Sequence, residues 1–212
     1  MKESSSLQQL AKKETTAEAI TDNVIQNPDL LPEIFQGLNA EKANVKYGCL
    51  KVLRLISEQQ PAMLYPHFNF FVDLLDSEVT FFKWGTILII ANLTSVDLND
   101  KFEKIFDKYF APITGHVMIP ASNIIGSAPK IVLAKPELTD RITREILKVE
   151  QAVYQTDECR NVAIGHAIKS FHQFFDLVKD KEPVIEFIKR QLDNSRSGTR
   201  IAAEKFFRKY VG

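Results

Sequence analysis

The sequence predicts an all-α protein of stacked helical hairpins, and three observations support this. First, apolar residues recur at helical spacing along most of the chain; in residues 98–110 they form a single stripe. Second, no long run alternates apolar and polar residues, and no Asn-Gly or Asp-Gly hairpin turn occurs. Third, a short motif returns at intervals of about one helical hairpin. We expect a right-handed α–α superhelix of about five hairpins.

Prolines divide the predicted helices from one another. Proline can begin a helix but cannot continue one, because it lacks the backbone N–H group and collides with the preceding turn. The gaps between the periodic segments are short, so neighbouring helices should run antiparallel. Five prolines lie at or near the proposed boundaries: Pro61, Pro66, Pro112, Pro136 and Pro183.

The repeated motif sets the size of one hairpin. It is a Leu followed by Asn or Asp, with a cation eight residues after the Leu and a small residue two positions further on. Successive cations of the motif lie 37, 77 and 40 residues apart, and the gap of 77 leaves room for one degenerate unit. A period of about 37 to 40 residues is the size of a two-helix solenoid repeat. The cations, which should begin equivalent helices, are Lys46, Lys83, Arg160 and Arg200.

Residues 44–50 resemble the start of the second helix in HEAT/armadillo repeats, with Asn44, the Val45-Lys46 pair and then small and aliphatic residues. The resemblance covers about residues 29–210 as roughly five units. It implies a HEAT-like array over residues 29–212, a single solenoid domain whose second helices line a concave surface. Residues 1–28 would form N-terminal capping helices, since a terminal repeat otherwise exposes its apolar stacking face.

The third repeat, about residues 98–136, departs from the pattern. Met118-Ile119 stands where a Val-cation pair is expected, and Pro120 and Pro129 fall within the expected second helix. Because proline disrupts helix interiors, this segment should break into shorter helices or bend sharply. Such a break within residues 114–136 would open a cleft beside two polar residues, His116 and Asn123.

Eight apolar residues on the predicted helix faces should be buried between hairpins. Stacking supplies the core of a repeat protein, because one hairpin cannot bury its apolar faces alone. Small residues after the motif cations should allow close helix approach. The expected buried residues are Leu50, Leu53, Ile87, Ile90, Ile105, Phe106, Ile146 and Phe206.

Charge and cysteine content exclude several classes of protein. The chain has 27 basic and 27 acidic residues, so no global field favours nucleic acid or an anionic membrane. Cys49 and Cys159 form no CxxC motif and no disulfide framework, which is typical of a reducing compartment. Apolar runs are too short for a signal segment or a membrane span. We expect a cytoplasmic protein without a membrane partner.

No motif indicates an enzyme, a cofactor or a metal. The eight glycines form no GxGxxG, P-loop or GxSxG pattern. The four histidines lack metal-ligand spacing; His166 and His172, six residues apart, do not share a helix face. Catalytic, cofactor-binding and metal-binding residues are therefore all predicted to be absent.

The predicted function is a non-enzymatic scaffold that presents a helical surface to a protein or peptide. The alternative is a nucleic-acid-binding HEAT protein, possibly similar to the DNA glycosylases of this fold. Trp84 beside Lys83 and a basic final stretch of 25 residues favour that alternative, and the zero net charge counts against it. Packing within the hairpins could also account for Trp84. The candidate contact residues are Lys51, Arg54, Trp84, His166 and Lys169.

Overall fold

The computed structural model describes residues 6–12 and 15–212. Within these ranges the chain forms α-helices joined by short loops and 3-10 turns, and it forms no β-strand. The predicted all-α class is therefore confirmed. Contacts divide the chain into two compact units, Met1–Asp97 and Leu98–Gly212.

The described part of the first unit contains two helical hairpins preceded by two further helices. The first helix of each hairpin is short, and the second helix is long. The helices are α1 (Ser6–Lys12), α2 (Ala17–Gln26), α3 (Leu31–Gly37), α4 (Ala43–Gln59), α5 (Pro61–Leu64), α6 (Phe68–Leu74) and α7 (Thr80–Leu93).

Helix packing in the first unit follows the chain order. Helix α3 packs on α4, and α5 and α6 pack on α7, which gives two hairpins. Helices α2, α4 and α7 contact one another in succession, while α1 packs against α3 and α4. Helices α1 and α2 thus pack against the first hairpin. The capping role of residues 1–28 and the boundary of that segment both stay predictions.

The second unit contains three hairpins. Helices α8 and α9 precede α10, α11 precedes α12, and α13 packs on α14. The long second helices α10, α12 and α14 contact one another in succession. The helices are α8 (Lys101–Lys104), α9 (Phe106–Phe110), α10 (Met118–Ala134), α11 (Thr139–Leu147), α12 (Asp157–Phe174), α13 (Glu182–Arg190) and α14 (Ser197–Tyr210).

The motif cations occupy the same position in their helices. Lys46, Lys83, Arg160 and Arg200 are each the fourth residue of a second helix. The prediction that they begin equivalent helices is confirmed, and the described chain has the five predicted hairpins. The prolines expected at boundaries also lie at or next to helix starts or in 3-10 turns.

Small residues after these cations allow close helix approach, as predicted. A Cβ atom at Gly48 would lie 2.9 Å from Leu10 Cδ2, and one at Gly85 would lie 2.6 Å from Leu50 Cδ2. Both distances are shorter than real Cβ contacts. Larger residues at these positions would therefore force the neighbouring helices or side chains apart.

Seven of the eight predicted core residues are buried, and Ile105 is only half-buried. At Ile105 the backbone leaves helical geometry (φ −108°, ψ 5°), and this residue separates α8 from α9. Phe102 and Phe106 on either side remain fully buried. The irregularity of the third repeat thus lies in its first helix.

The predicted break at Pro120 and Pro129 is wrong, because α10 continues without interruption from Met118 to Ala134. Pro120 is the third residue of α10, where a backbone N–H would have no partner within the helix. Pro129 leaves the Ile125 carbonyl without its usual donor four residues later. The Ser170 hydroxyl of α12 donates to that carbonyl at 2.6 Å and replaces the missing bond. The cleft that depended on a break loses its basis.

Charged pairs join successive hairpins of the second unit at separations of one repeat. Arg190 donates to Glu150 at 2.8 Å and Arg196 to Glu158 at 2.8 Å. The paired residues lie 40 and 38 positions apart in the sequence. These ion pairs therefore connect neighbouring repeats, and their sequence separation matches the repeat period.

Candidate functional site

Two of the predicted contact residues lie on α4. Tyr47, Lys51 and Arg54 are spaced four and then three residues apart, so they share one face of the helix. Lys51 Nζ lies 2.8 Å from Glu18 Oε1 of α2, and Arg54 lies 3.4 Å from Glu58. A hydrogen bond from Lys51 holds the pKa of the Glu18 carboxyl below its usual range. Both cations thus have an internal carboxylate partner.

Trp84 lies half-buried on α7, next to an exposed aromatic pair. Phe81, one turn earlier on α7, is exposed, and its ring centroid lies 4.4 Å from that of Tyr47 on α4. Phe81 and Trp84 are three residues apart and share a helix face. We call Tyr47, Phe81 and Trp84 the aromatic patch of the first unit.

His166 and Lys169 lie one turn apart on α12. His166 is half-buried, and Lys169 is exposed. Burial lowers the pKa of the His166 imidazole, and the nearby charges of Lys169 and Arg196 lower it further. Both effects favour the neutral form of the His166 imidazole.

An open groove of about 460 Å³ lies between α12 and α14 in the second unit. Its apolar part is formed by Ile168, Gly198, Ile201 and Ala202. Its polar part is formed by Lys169, His172 and Lys205. We call this surface the α12–α14 groove.

Helix α14 is held on α12 near both of its ends, on either side of Ala202. Near the start of α14, the Thr199 hydroxyl donates to the Asn161 carbonyl at 2.7 Å. A Cβ atom at Gly165 would lie 2.8 Å from Thr199 Oγ1, so the helices are close there. At the other end, the Tyr210 hydroxyl donates to the His172 carbonyl at 2.9 Å. Ala202 lies between these two contacts and lines the groove, and Gly198 lines it just before the first contact.

The structure brings together only some of the predicted contact residues. Lys169 lines the groove and His166 lies one turn before it on α12, whereas Lys51, Arg54 and Trp84 belong to the first unit. Sequence reasoning missed Ile201 and Lys205. The repeat register could have indicated them, because Lys205 follows the motif cation Arg200 by five residues, as Lys51 follows Lys46.

The described residues offer neither a cluster of metal ligands nor a helix suited to a membrane. Within residues 6–12 and 15–212, no three His, Cys, Asp or Glu side chains are grouped so that they could hold a metal ion. In the same ranges, no helix combines the length and the apolar character needed to cross a bilayer.

Comparison with known proteins gives one structural likeness. The chain is similar to a designed armadillo repeat protein, with 15% sequence identity and a TM-score of 0.48 over 96% of this chain and 90% of the other. No family model matches the sequence, and no curated protein matches it. The helical-repeat architecture is accordingly established by the hairpins and the motif register of this chain itself.

Proposed function

We propose that the protein is a non-enzymatic binding module that holds a protein or peptide partner on its second helices. The observation that carries this proposal is the α12–α14 groove, whose lining combines aliphatic side chains with two lysines. A concave surface that joins apolar area to a few polar groups is the usual form of a binding site. The proposed partner and the cytoplasmic location both remain to be tested.

The chemistry of the groove supports binding rather than catalysis. Its polar side chains are two lysines and one histidine, and no carboxylate, hydroxyl or thiol side chain lines it in the described chain. General acid–base and nucleophilic mechanisms both rely on paired groups that orient and activate each other. Lys169 and Lys205 are exposed to water, an environment suited to attracting an anionic group on a partner.

The aromatic patch of the first unit supports the same function. Tyr47 and Phe81 are 37% and 45% exposed although they contact each other, and Trp84 lies beside them. Aromatic residues of this kind are the commonest anchors of protein–protein interfaces. The first unit therefore offers a second contact surface.

Charge pairing counts against the nucleic-acid alternative. Of the seven cations in the basic C-terminal stretch, Lys189, Arg190 and Arg196 lie within 4.0 Å of carboxylates. A cation that already neutralises a carboxylate contributes little to phosphate binding. This stretch is thus a weaker phosphate-binding surface than its composition indicates.

Blocking the groove without changing its charge tests the proposed function. The full chain is used to select ligands from a phage-displayed library of random peptides, and the enriched peptides are synthesised for anisotropy measurements. Ile201→Trp places a bulky side chain at the groove floor, so we expect it to weaken peptide binding by about tenfold or more. Ile201 is 48% exposed, which makes the substitution tolerable for the fold.

Leu133→Trp is the matched control. Leu133 is 67% exposed on α10 and does not line the groove. Binding to this variant should equal that of the wild type, and circular dichroism should show unchanged folding of both variants. Failure to enrich any peptide, or equal binding to all three proteins, would contradict the proposed function.

A further inference from the structure

The α12–α14 groove carries positive charge that no carboxylate in the described part of the chain neutralises. Lys169 on α12 and Lys205 on α14 both line it and are exposed. Within residues 6–12 and 15–212, neither ammonium group has a carboxylate partner. Their situation differs from that of Lys51 and Arg54, which pair with Glu18 and Glu58.

The Glu158 carboxylate of α12 is paired with Arg196 and not with either groove lysine. Glu158 at the start of α12 accepts a hydrogen bond from Arg196 at 2.8 Å. His166 lies one turn before Lys169 on α12, outside the groove lining; burial and then the charges of Lys169 and Arg196 lower the pKa of its imidazole. Among the residues that line the groove, Lys169 and Lys205 are the two with ammonium groups, and they define its charge.

The lining of the groove offers exposed apolar surface to a ligand as well as positive charge. Ile201 is 48% exposed and lies beside Ala202 and the buried Ile168. Covering this aliphatic side chain with another apolar group removes apolar surface from water and therefore stabilises a complex. An occupant with carboxylates alone, or with phosphates alone, would leave this area exposed to water.

The shape and the lining favour a peptide over a nucleic acid. Single-stranded nucleic acids are held by aromatic rings that stack on the bases, and apart from the His172 imidazole no aromatic side chain lines the groove. The groove is open to solvent and is lined by residues of both α12 and α14. A peptide with an aliphatic side chain and nearby carboxylates would match the exposed Ile201 together with one lysine on each of the two helices.

We propose that the α12–α14 groove binds an acidic peptide segment of a partner protein, which places an aliphatic side chain against Ile201 and carboxylates beside Lys169 and Lys205. This inference deepens the proposed function and depends on it. It specifies the chemical class of the partner segment: two or more Asp or Glu residues around one Leu, Ile, Val or Met.

The peptides enriched by phage display on the full chain provide the probe. We expect them to share the acidic–aliphatic pattern. Lys169→Glu and Lys205→Glu should each weaken binding of the synthetic peptide by about fivefold or more, because each removes an attraction and adds a repulsion. Lys104→Glu on α8, the same charge change at an exposed lysine outside the groove, should leave binding unchanged.

A charge exchange makes the test specific for direct contact. A peptide with its acidic residues replaced by lysine should fail to bind the wild type and should bind the Lys169→Glu, Lys205→Glu double variant. Thermal unfolding of each variant shows that it remains folded.

The two proposals fail in different ways. Enrichment of neutral or basic peptides that Ile201→Trp blocks would overturn the acidic inference and leave the binding function standing. Binding of single-stranded oligonucleotides in the groove, in preference to any peptide, would overturn both.

Discussion

Gly85 lets α7 approach α4, since a Cβ atom there would lie 2.6 Å from Leu50 Cδ2. Leu50 is 2% exposed, so its side chain has no open space into which it could move. Gly126 on α10 is the opposite case, because a Cβ atom at that position would have no neighbour within 4 Å. The two glycines are thus a matched pair of helix-interior positions that differ in the space around them.

Replacing each glycine with alanine should change stability in opposite directions. Gly126→Ala should raise the free energy of unfolding by about 0.5–1 kcal/mol through helix propensity. Gly85→Ala should lower it by about 1 kcal/mol or more, because overpacking outweighs the same gain in propensity. Urea denaturation of both variants measures the difference. Equal stabilisation of both would show that Leu50 can repack freely.

The positions of some single residues could be predicted from the sequence, and those of others could not. The motif cations predicted the fourth position of four helices, because their spacing repeats along the chain. The deviation at Ile105 could not be predicted, since neither glycine nor proline marks it and its apolar neighbours keep helical spacing.

At the scale of one helix, α10 shows how a neighbour can preserve a helix that its own sequence should break. Pro129 removes the donor for the Ile125 carbonyl, and the Ser170 hydroxyl of α12 supplies another. This hydrogen bond could not be predicted from the sequence of α10 alone, because its donor lies 45 residues away in the chain. For this reason the sequence predicted a break that the structure does not have.

A double-mutant cycle tests that compensation. Ser170→Ala should lower the free energy of unfolding by about 1–3 kcal/mol, because it leaves a buried carbonyl without a donor. In a Pro129→Ala background the backbone N–H returns, so the same serine substitution should cost much less. Chemical denaturation of the four proteins gives both values. Identical losses in the two backgrounds would mean that the serine acts through packing alone.

At the scale of the whole molecule, the repeat period predicted the number of hairpins but not the groove. The period of about 37 to 40 residues is a property of the sequence, and five hairpins follow from it. The groove depends on how closely two distant helices meet, which the contact of Gly165 with Thr199 and the hydrogen bond from Tyr210 to His172 determine. Sequence reasoning therefore found Lys169 and missed Lys205, its counterpart on the facing helix.

Duplex DNA binding should be weak and only slightly dependent on salt, because the whole chain has no net charge. The logarithm of DNA affinity falls with that of salt by about 0.9 for each phosphate neutralised. If Lys169 and Lys205 are the main free cations of a binding surface, about two phosphates are neutralised. Affinity for a fluorescent duplex of random sequence should then fall by about tenfold between 50 and 200 mM salt. A loss of about a thousandfold or more would instead indicate six or more phosphate contacts and favour a nucleic-acid-binding protein.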